Sequence, residues 1–154
     1  MPDKEIIAPD FTLPDTDGNE VTLSALRPAL VVLFFYPRDN TPGCTTEAIA
    51  FTQNLAAFQA AGAHVFGISK DDLLSHAKFR DKQDLAVPLL SDENSTVCEA
   101  YGVWREKKMY GKVFMGIERS TFLISGTGEF VKEWRKVKVP GHVEEVLAEV
   151  QNQS

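Results

Sequence analysis

Cys44 is the residue of this 154-residue chain whose surroundings best suit chemistry. Residues 29–36 form an uncharged run rich in Val, Leu and Phe, which is typical of a strand buried on both faces. Pro37 ends that run. Thr41 suits the N-cap of a following helix because its hydroxyl can accept a hydrogen bond from an unpaired backbone N–H, and Pro42 suits the first helical position. The pattern therefore places Cys44 in the first turn of a helix.

A cysteine in that first turn is expected to be reactive. Free N–H groups and the positive end of the helix dipole favour a thiolate over a thiol, and the thiolate is the nucleophile. Cys44 also begins a series at steps of four and three that marks the buried face of the helix, continued by Ala48, Phe51, Leu55 and Phe58. A buried thiol without function is the alternative, but the Thr-Pro-Gly entry leaves little side-chain bulk over the sulfur.

Two separated motifs give the chain a specific resemblance. The string FFYPRDNTPGCTTEA, residues 34–48, resembles the active-site motif of the peroxiredoxins, with the spacing Pro37-x-x-x-Thr41-x-x-Cys44. The fuller string is similar to the bacterioferritin comigratory protein (peroxiredoxin Q) branch. In GIERSTFLI, residues 116–124, Arg119 falls where the family carries its active-site arginine. The resemblance extends from about residue 8 to about residue 150, nearly the whole chain.

The resemblance implies a role for each matching residue. Cys44 would attack a peroxide and become a sulfenic acid. Arg119, Thr41 and the backbone N–H of Cys44 would contact the peroxide where negative charge develops, and Pro37 would shield the thiolate. Glu47 matches a glutamate of the peroxiredoxin Q pattern and is expected to hold an arginine in place. The substrates would be hydrogen peroxide and organic hydroperoxides.

Each of these residues also has a simpler interpretation. Arg119 could be a surface arginine paired with Glu118 or Asp92. Thr41 could be only a helix cap, and Pro37 only the end of a strand. Glu47 could be an ordinary first-turn glutamate, which the helix dipole favours without any function.

The sequence departs from its branch in the thiol that would restore Cys44. Many members carry a resolving cysteine five residues later, where this chain has Ile49, and others carry it in the next helix, where residues 75–81 contain none. Cys98, the second of the two cysteines, lies in apolar sequence typical of a buried, inert thiol. We therefore expect a one-cysteine mechanism in which thioredoxin, a glutaredoxin or glutathione reduces Cys44. A two-cysteine enzyme with Cys98 as the resolving residue is the alternative.

Functions of other classes remain open. A redox sensor would use Cys44 but pass its oxidation to a partner protein. A dithiol-disulfide oxidoreductase is disfavoured because Thr41 stands where a C-x-x-C motif would begin. A binding module without catalysis would not need both Thr41 and Arg119 beside Cys44.

Composition limits the cofactors and partners. The formal net charge of −6 disfavours nucleic acid as a partner. His64, His76 and His142 are too scattered for metal-ligand spacing, and neither G-x-G-x-x-G nor a Walker motif occurs, so we expect neither a metal nor another cofactor. The N-terminal stretch lacks the apolar core of a signal peptide, and no apolar run approaches the length of a membrane span, so we expect a cytoplasmic protein. The resemblance suggests a monomer.

Strands alternating with helices predict an α/β sandwich. Strands are expected at residues 29–36, 63–69 and 88–90, with hairpins at 11–23 and 118–137. Helices are expected from residue 42 to near Gly62 and at 71–82, 96–101 and 141–151, with Asp92 as a cap of the third. The basic stretches 105–108 and 135–138 are expected to be solvent-exposed. The resemblance narrows the fold to a three-layer thioredoxin-like domain, residues 1–154, with an added N-terminal β-hairpin.

Overall fold

A computed structural model describes residues 7–153, which form nine strands and four α-helices. The strands are β1 (Thr12–Pro14), β2 (Glu20–Thr22), β3 (Leu30–Phe35), β4 (Ala63–Ser69), β5 (Leu89–Ser91), β6 (Trp104–Met109), β7 (Lys112–Ile117), β8 (Ser120–Ile124) and β9 (Phe130–Arg135). The helices are α1 (Pro42–Ala60), α2 (Leu73–Gln83), α3 (Val97–Ala100) and α4 (His142–Gln153).

A five-stranded mixed sheet with the order β5-β4-β3-β8-β9 forms the centre of the fold. The strand β3 pairs in parallel with β4 and antiparallel with β8. Successive side chains of β3 point to opposite faces, as a strand requires. Val31, Leu33 and Phe35 therefore enter one hydrophobic core, and Val32 and Phe34 enter the other. This central strand is buried on both faces, as its sequence predicts.

The two cores are covered by different elements. Helices α1, α2 and α4 supply side chains to the core that contains Phe34. The opposite core is closed by α3 and by extended segments, including β1 and the residues before it, Ala8 and Phe11. The mixed α/β architecture and the hairpin formed by β1 and β2 agree with the sequence prediction.

Helix α2 matches its predicted apolar face only in part. The sequence suggests Leu74, Ala77 and Phe79 as its apolar contacts, and Phe79 is buried as expected, but Leu74 is 66% exposed. His76, three residues before Phe79, is buried on the same side of the helix. The helix begins at Leu73, after Asp72 accepts a hydrogen bond from the Ser75 N–H, and this start turns Leu74 outward.

The hairpin of β6 and β7 was not predicted from the sequence. Tyr110 and Gly111 connect the two strands, and both have positive φ angles, of 53° and 77°. A two-residue turn with positive φ at both positions matches the right-handed twist of the strands. The hairpin exposes Met109, Val113 and Met115.

The two basic stretches are mostly exposed, as predicted, but one side chain in each makes contacts with the rest of the fold. Lys107 in β6 is partly buried, and Arg135 in β9 donates hydrogen bonds to the carbonyls of Tyr101 and Gly102. Each stretch thus contributes one long side chain to packing. Among the helices of residues 7–153, none combines the length and the apolar character needed to cross a membrane.

Candidate active site

Sheet pairing brings Cys44 and Arg119 together across 75 positions of sequence. Phe35, the last residue of β3, lies opposite Ser120, the first residue of β8. The chain leaves β3 toward Cys44 and enters β8 directly after Arg119. Both residues therefore lie at the same end of the two strands, where the first turn of α1 begins.

Arg119 contacts the sulfur directly. Its Nη2 donates to Cys44 Sγ at 3.4 Å, and its Nη1 donates to Glu47 Oε1 at 2.7 Å. Gly43 leaves room for the guanidinium, because a Cβ at that position would lie 3.0 Å from Nη2. The interpretation of Arg119 as a surface arginine paired with Glu118 or Asp92 is wrong. Burial works to lower the pKa of Arg119, but Glu47 and Cys44 together raise it, so the guanidinium stays charged.

Glu47 is fully buried beneath Arg119. Its Oε2 has no hydrogen-bond partner among residues 7–153, so the carboxyl group depends on the single contact through Oε1. Burial raises the pKa of Glu47 to about 7, although the charge of Arg119 opposes that rise. The interpretation of Glu47 as an ordinary first-turn glutamate is wrong, because the first turn of α1 holds no acidic residue and the Glu47 side chain faces inward.

Thr41 occupies the predicted N-cap position with non-helical backbone angles, but its hydroxyl does not cap the helix. The hydroxyl instead donates to the Arg38 carbonyl at 2.8 Å. Because a threonine hydroxyl has one proton, Thr41 Oγ1 is left to accept a hydrogen bond from a molecule in the adjoining pocket. Pro37 and Thr41 line that pocket together with Cys44.

The pocket over Cys44 has a volume of about 590 Å³, and its far wall is the hairpin of β6 and β7. The wall is mostly apolar and includes Trp104, Met109, Phe114, Met115 and Ile117. Lys107 lies along it, and Gly116 makes space for the lysine stem, since a Cβ there would be 3.2 Å from the Lys107 side chain. Burial and the charge of Arg119 lower the pKa of Lys107. None of these wall residues was identified from the sequence, because the strand pairing that brings them to Cys44 was not predicted.

The sequence matches the family model of the AhpC/TSA family over residues 6–132. Peroxiredoxin Bcp of Xanthomonas campestris is 49% identical over 146 residues, which cover 94% of this chain and 91% of that protein. Peroxiredoxin Bcp of Bacillus subtilis is 46% identical over 147 residues, which cover 96% of this chain and 94% of that protein. The chain belongs to the AhpC/TSA family and is a peroxiredoxin.

Solved structures place the peroxiredoxin in the thioredoxin-like fold predicted above. A cysteine variant of Xanthomonas campestris peroxiredoxin Q superposes with a TM-score of 0.89 at 46% identity, covering 94% of this chain and 92% of that one. Another structure, of the Xanthomonas campestris bacterioferritin comigratory protein, superposes with a TM-score of 0.88 at 46% identity, covering 93% of this chain and 91% of that one. That structure concerns the alkyl peroxide reduction activity of the Xanthomonas campestris protein.

The surroundings of Cys98 differ from those of Cys44. It is fully buried on α3, in the hydrophobic core opposite the one that contains Cys44, and both thiols are free. Its backbone N–H donates to Asp92, which also accepts from Val97, so Asp92 caps α3 as predicted. Burial raises the pKa of the Cys98 thiol, and the nearby Asp92 carboxylate raises it further. A thiol in these surroundings is a poor nucleophile.

Among residues 7–153, one group of side chains is of metal-ligating type. Ligand atoms of Asp39, Asp71 and His76 all lie within 4.8 Å of one another. Their polar atoms already bond to protein groups, however, with Tyr36 and Ser75 donating to Asp39. These three side chains therefore form a hydrogen-bond network with protein groups. That the protein binds no metal stays a prediction.

Proposed function

We propose that Cys44 is the peroxidatic cysteine of this thiol peroxidase and that it reduces hydrogen peroxide and organic hydroperoxides. As a peroxiredoxin, the protein is an oxidoreductase that takes peroxide as substrate and electrons from a thiol. The observation that carries the assignment to Cys44 is the 3.4 Å contact between Arg119 Nη2 and Sγ in the first turn of α1. A charged donor at that position stabilises the thiolate, which is the attacking species.

In the proposed step the Cys44 thiolate attacks the terminal oxygen of the hydroperoxide. An S–O bond forms as the O–O bond breaks, so that sulfur is oxidised to sulfenic acid while the alkoxide or hydroxide leaves and takes up a proton from water. Negative charge spreads over both oxygens as the bond breaks. Arg119 and the Cys44 backbone N–H would donate to those oxygens, and Thr41 Oγ1 would accept from the hydroperoxide O–H.

Glu47 and Pro37 have supporting roles in this proposal. The 2.7 Å bond from Arg119 Nη1 to Glu47 holds the guanidinium in the plane that lets Nη2 reach the sulfur. Pro37 lies in the pocket wall, where its ring would keep water from the thiolate. The apolar wall of β6 and β7 favours a carbon-bearing substituent, in line with the alkyl peroxide reduction described for the Xanthomonas campestris relative.

We further propose a one-cysteine cycle in which thioredoxin, a glutaredoxin or glutathione reduces the Cys44 sulfenic acid. The positions of the two thiols support this, since Cys44 and Cys98 contribute to cores on opposite faces of the central sheet. A disulfide requires Cα atoms within about 7 Å, so a Cys44 to Cys98 bond would demand extensive unfolding. A cytoplasmic location and a monomeric state complete the proposal, and a redox sensor that uses Cys44 is the second candidate.

Substitution of each cysteine tests the assignment. Cys44→Ser should abolish peroxide consumption measured with excess dithiothreitol, because a serine hydroxyl does not replace the thiolate. Cys98→Ser is the matched control and should retain the activity of the unmodified protein. Retention of activity by Cys44→Ser would overturn the proposal, and loss of activity in a folded Cys98→Ser variant would favour the two-cysteine alternative.

A further inference from the structure

The hydroxide or alkoxide that leaves in the proposed step is a strong base and needs a proton. The groups placed beside the peroxide are poor sources of one. A guanidinium does not give up a proton in proteins, so Arg119 can only donate hydrogen bonds, and the same holds for the Cys44 backbone N–H. The hydroxyl proton of Thr41 is already bonded to the Arg38 carbonyl at 2.8 Å. A proton donor must therefore come from another part of the pocket or from water.

Two lysines line the pocket over Cys44, and only one of them has an unengaged ammonium group. Lys70 Nζ lies 2.8 Å from Glu99 Oε1 and 3.1 Å from Asp92 Oδ2, so its protons are already bonded to carboxylates. The ammonium of Lys107 makes no hydrogen bond or ion pair with the part of the chain that the structure describes, residues 7–153. The protons of Lys107 are therefore available to a molecule in the pocket.

The hairpin of β6 and β7 holds Lys107 in the pocket wall. Successive side chains of a strand point to opposite faces, so the next residue, Lys108, turns away and is exposed. The stem of Lys107 passes over Gly116, where a Cβ would lie 3.2 Å from Cδ and 3.4 Å from Cε. The charges of Arg119 and Cys44 both act on the ammonium. Lys107 thus lies along the wall with its head within electrostatic reach of the reacting atoms.

The direction of the displacement also favours Lys107. Attack on the O–O bond requires the sulfur and the two oxygens to be aligned, so the leaving oxygen points away from Cys44 Sγ. The far wall of the pocket in that direction is the hairpin that carries Lys107. Burial and the charge of Arg119 lower the pKa of Lys107, although Cys44 and Glu118 oppose that change. A lowered pKa makes the ammonium a better acid at neutral pH.

We propose that Lys107 is a catalytic residue, the general acid that protonates the oxygen leaving the hydroperoxide. This inference rests on the proposed function of Cys44. As the S–O bond forms and the O–O bond breaks, the leaving oxygen takes a proton from Nζ and departs as water or an alcohol. The electron pair of the broken N–H bond stays on nitrogen, and the neutral amine regains a proton from water. The net proton therefore still comes from water, and the overall reaction is unchanged.

Oxidants with different leaving groups separate proton donation from other roles of Lys107. Hydrogen peroxide expels hydroxide, which needs a proton, whereas peroxyacetic acid expels acetate, a weak base that leaves without one. In Lys107→Met, oxidation of Cys44 by hydrogen peroxide should slow by about a hundredfold, while oxidation by peroxyacetic acid should slow by less than about threefold. Stopped-flow kinetics with the fully reduced protein would measure both rates. Lys108→Met is the matched control and should change neither rate.

A second variant, Lys107→Arg, distinguishes the proton from the charge. Arginine keeps the positive charge but does not release its proton, so Lys107→Arg should be as slow with hydrogen peroxide as Lys107→Met. A full rate in Lys107→Arg, an unchanged rate in Lys107→Met, or equal slowing of Lys107→Met with both oxidants would overturn the inference and leave Cys44 as the peroxidatic cysteine. If neither oxidant modifies Cys44 in the unmodified protein, the proposed function itself fails, and the inference with it.

Discussion

The contact between Cys44 and Arg119 requires a carboxylate in an unfavourable place. Glu47 supports the guanidinium, yet it is fully buried and one of its oxygens has no partner among the described residues. Desolvation of a charge costs more than one hydrogen bond recovers, which explains why the pKa of Glu47 rises to about 7. The site thus orients Arg119 at a cost to the folding stability of the protein.

The pH dependence of folding stability should reveal this cost. Because the pKa of Glu47 is raised, the two states differ between pH 4.5 and about pH 7. In that range the folded protein keeps a proton on Glu47 that the unfolded chain has lost. The resulting stabilisation, on the order of 3 kcal/mol, is present below that window and is lost as the pH rises through 7. Glu47→Gln should therefore gain stability relative to the unmodified protein at pH 8 but not at pH 4.5, measured by urea unfolding.

The same substitution should slow the peroxide step, because glutamine holds the guanidinium without charge. Glu20→Gln, at an exposed position in β2, is the matched control and should alter neither quantity. If the unfolding free energy of Glu47→Gln follows that of the unmodified protein at both pH values, the burial argument for Glu47 is wrong.

Arg119 offers the most direct test of transition-state stabilisation. Arg119→Ala removes the donor to Sγ and should slow oxidation of Cys44 by hydrogen peroxide by roughly a hundredfold or more. Arg105→Ala, which removes an exposed arginine paired at 3.9 Å with Glu118, should leave the rate unchanged. Stopped-flow kinetics with the fully reduced protein would measure the rate of Cys44 oxidation in both variants. An unchanged rate in Arg119→Ala would remove Arg119 from the mechanism.

Among the elements, the strand and helix around Cys44 are predicted from the sequence, whereas the hairpin of β6 and β7 is not. The strand and helix around Cys44 follow from local signals, an apolar run and a Thr-Pro entry. The hairpin has a charged first strand, and its apolar residues gain a role only from packing across the pocket. The burial of His76 could not be predicted for a similar reason, since the residue is polar and its contacts with Asp39 and Leu90 join segments that are distant in sequence.

The hairpin should control the preference between hydroperoxides. Phe114→Ala removes part of the apolar wall, so the KM for an aromatic hydroperoxide such as cumene hydroperoxide should rise about fivefold, equivalent to about 1 kcal/mol of apolar contact. The rate constant for hydrogen peroxide should stay the same. Val113→Ala, one residue away and outside the pocket lining, is the control. Equal effects on both substrates would show that the wall does not contact the substituent.

For the whole molecule, the central sheet is what joins two distant motifs into one site. The antiparallel pairing of β3 with β8 places residue 35 opposite residue 120, and this non-local contact could not be read from hydrophobic periodicity. The family resemblance anticipated Arg119 beside Cys44 without that register. The sheet also separates the two thiols into different cores, so the architecture itself argues for an external reductant.

The central claim is that Cys44 is oxidised alone. The most direct measurement is the intact mass of the reduced protein after one equivalent of hydrogen peroxide without added thiol, followed by mapping of the modified residue. We predict the addition of one oxygen at Cys44 and an unmodified Cys98. Loss of two hydrogens with a Cys44 to Cys98 link would contradict the one-cysteine cycle, and an unmodified Cys44 would contradict the proposed function itself.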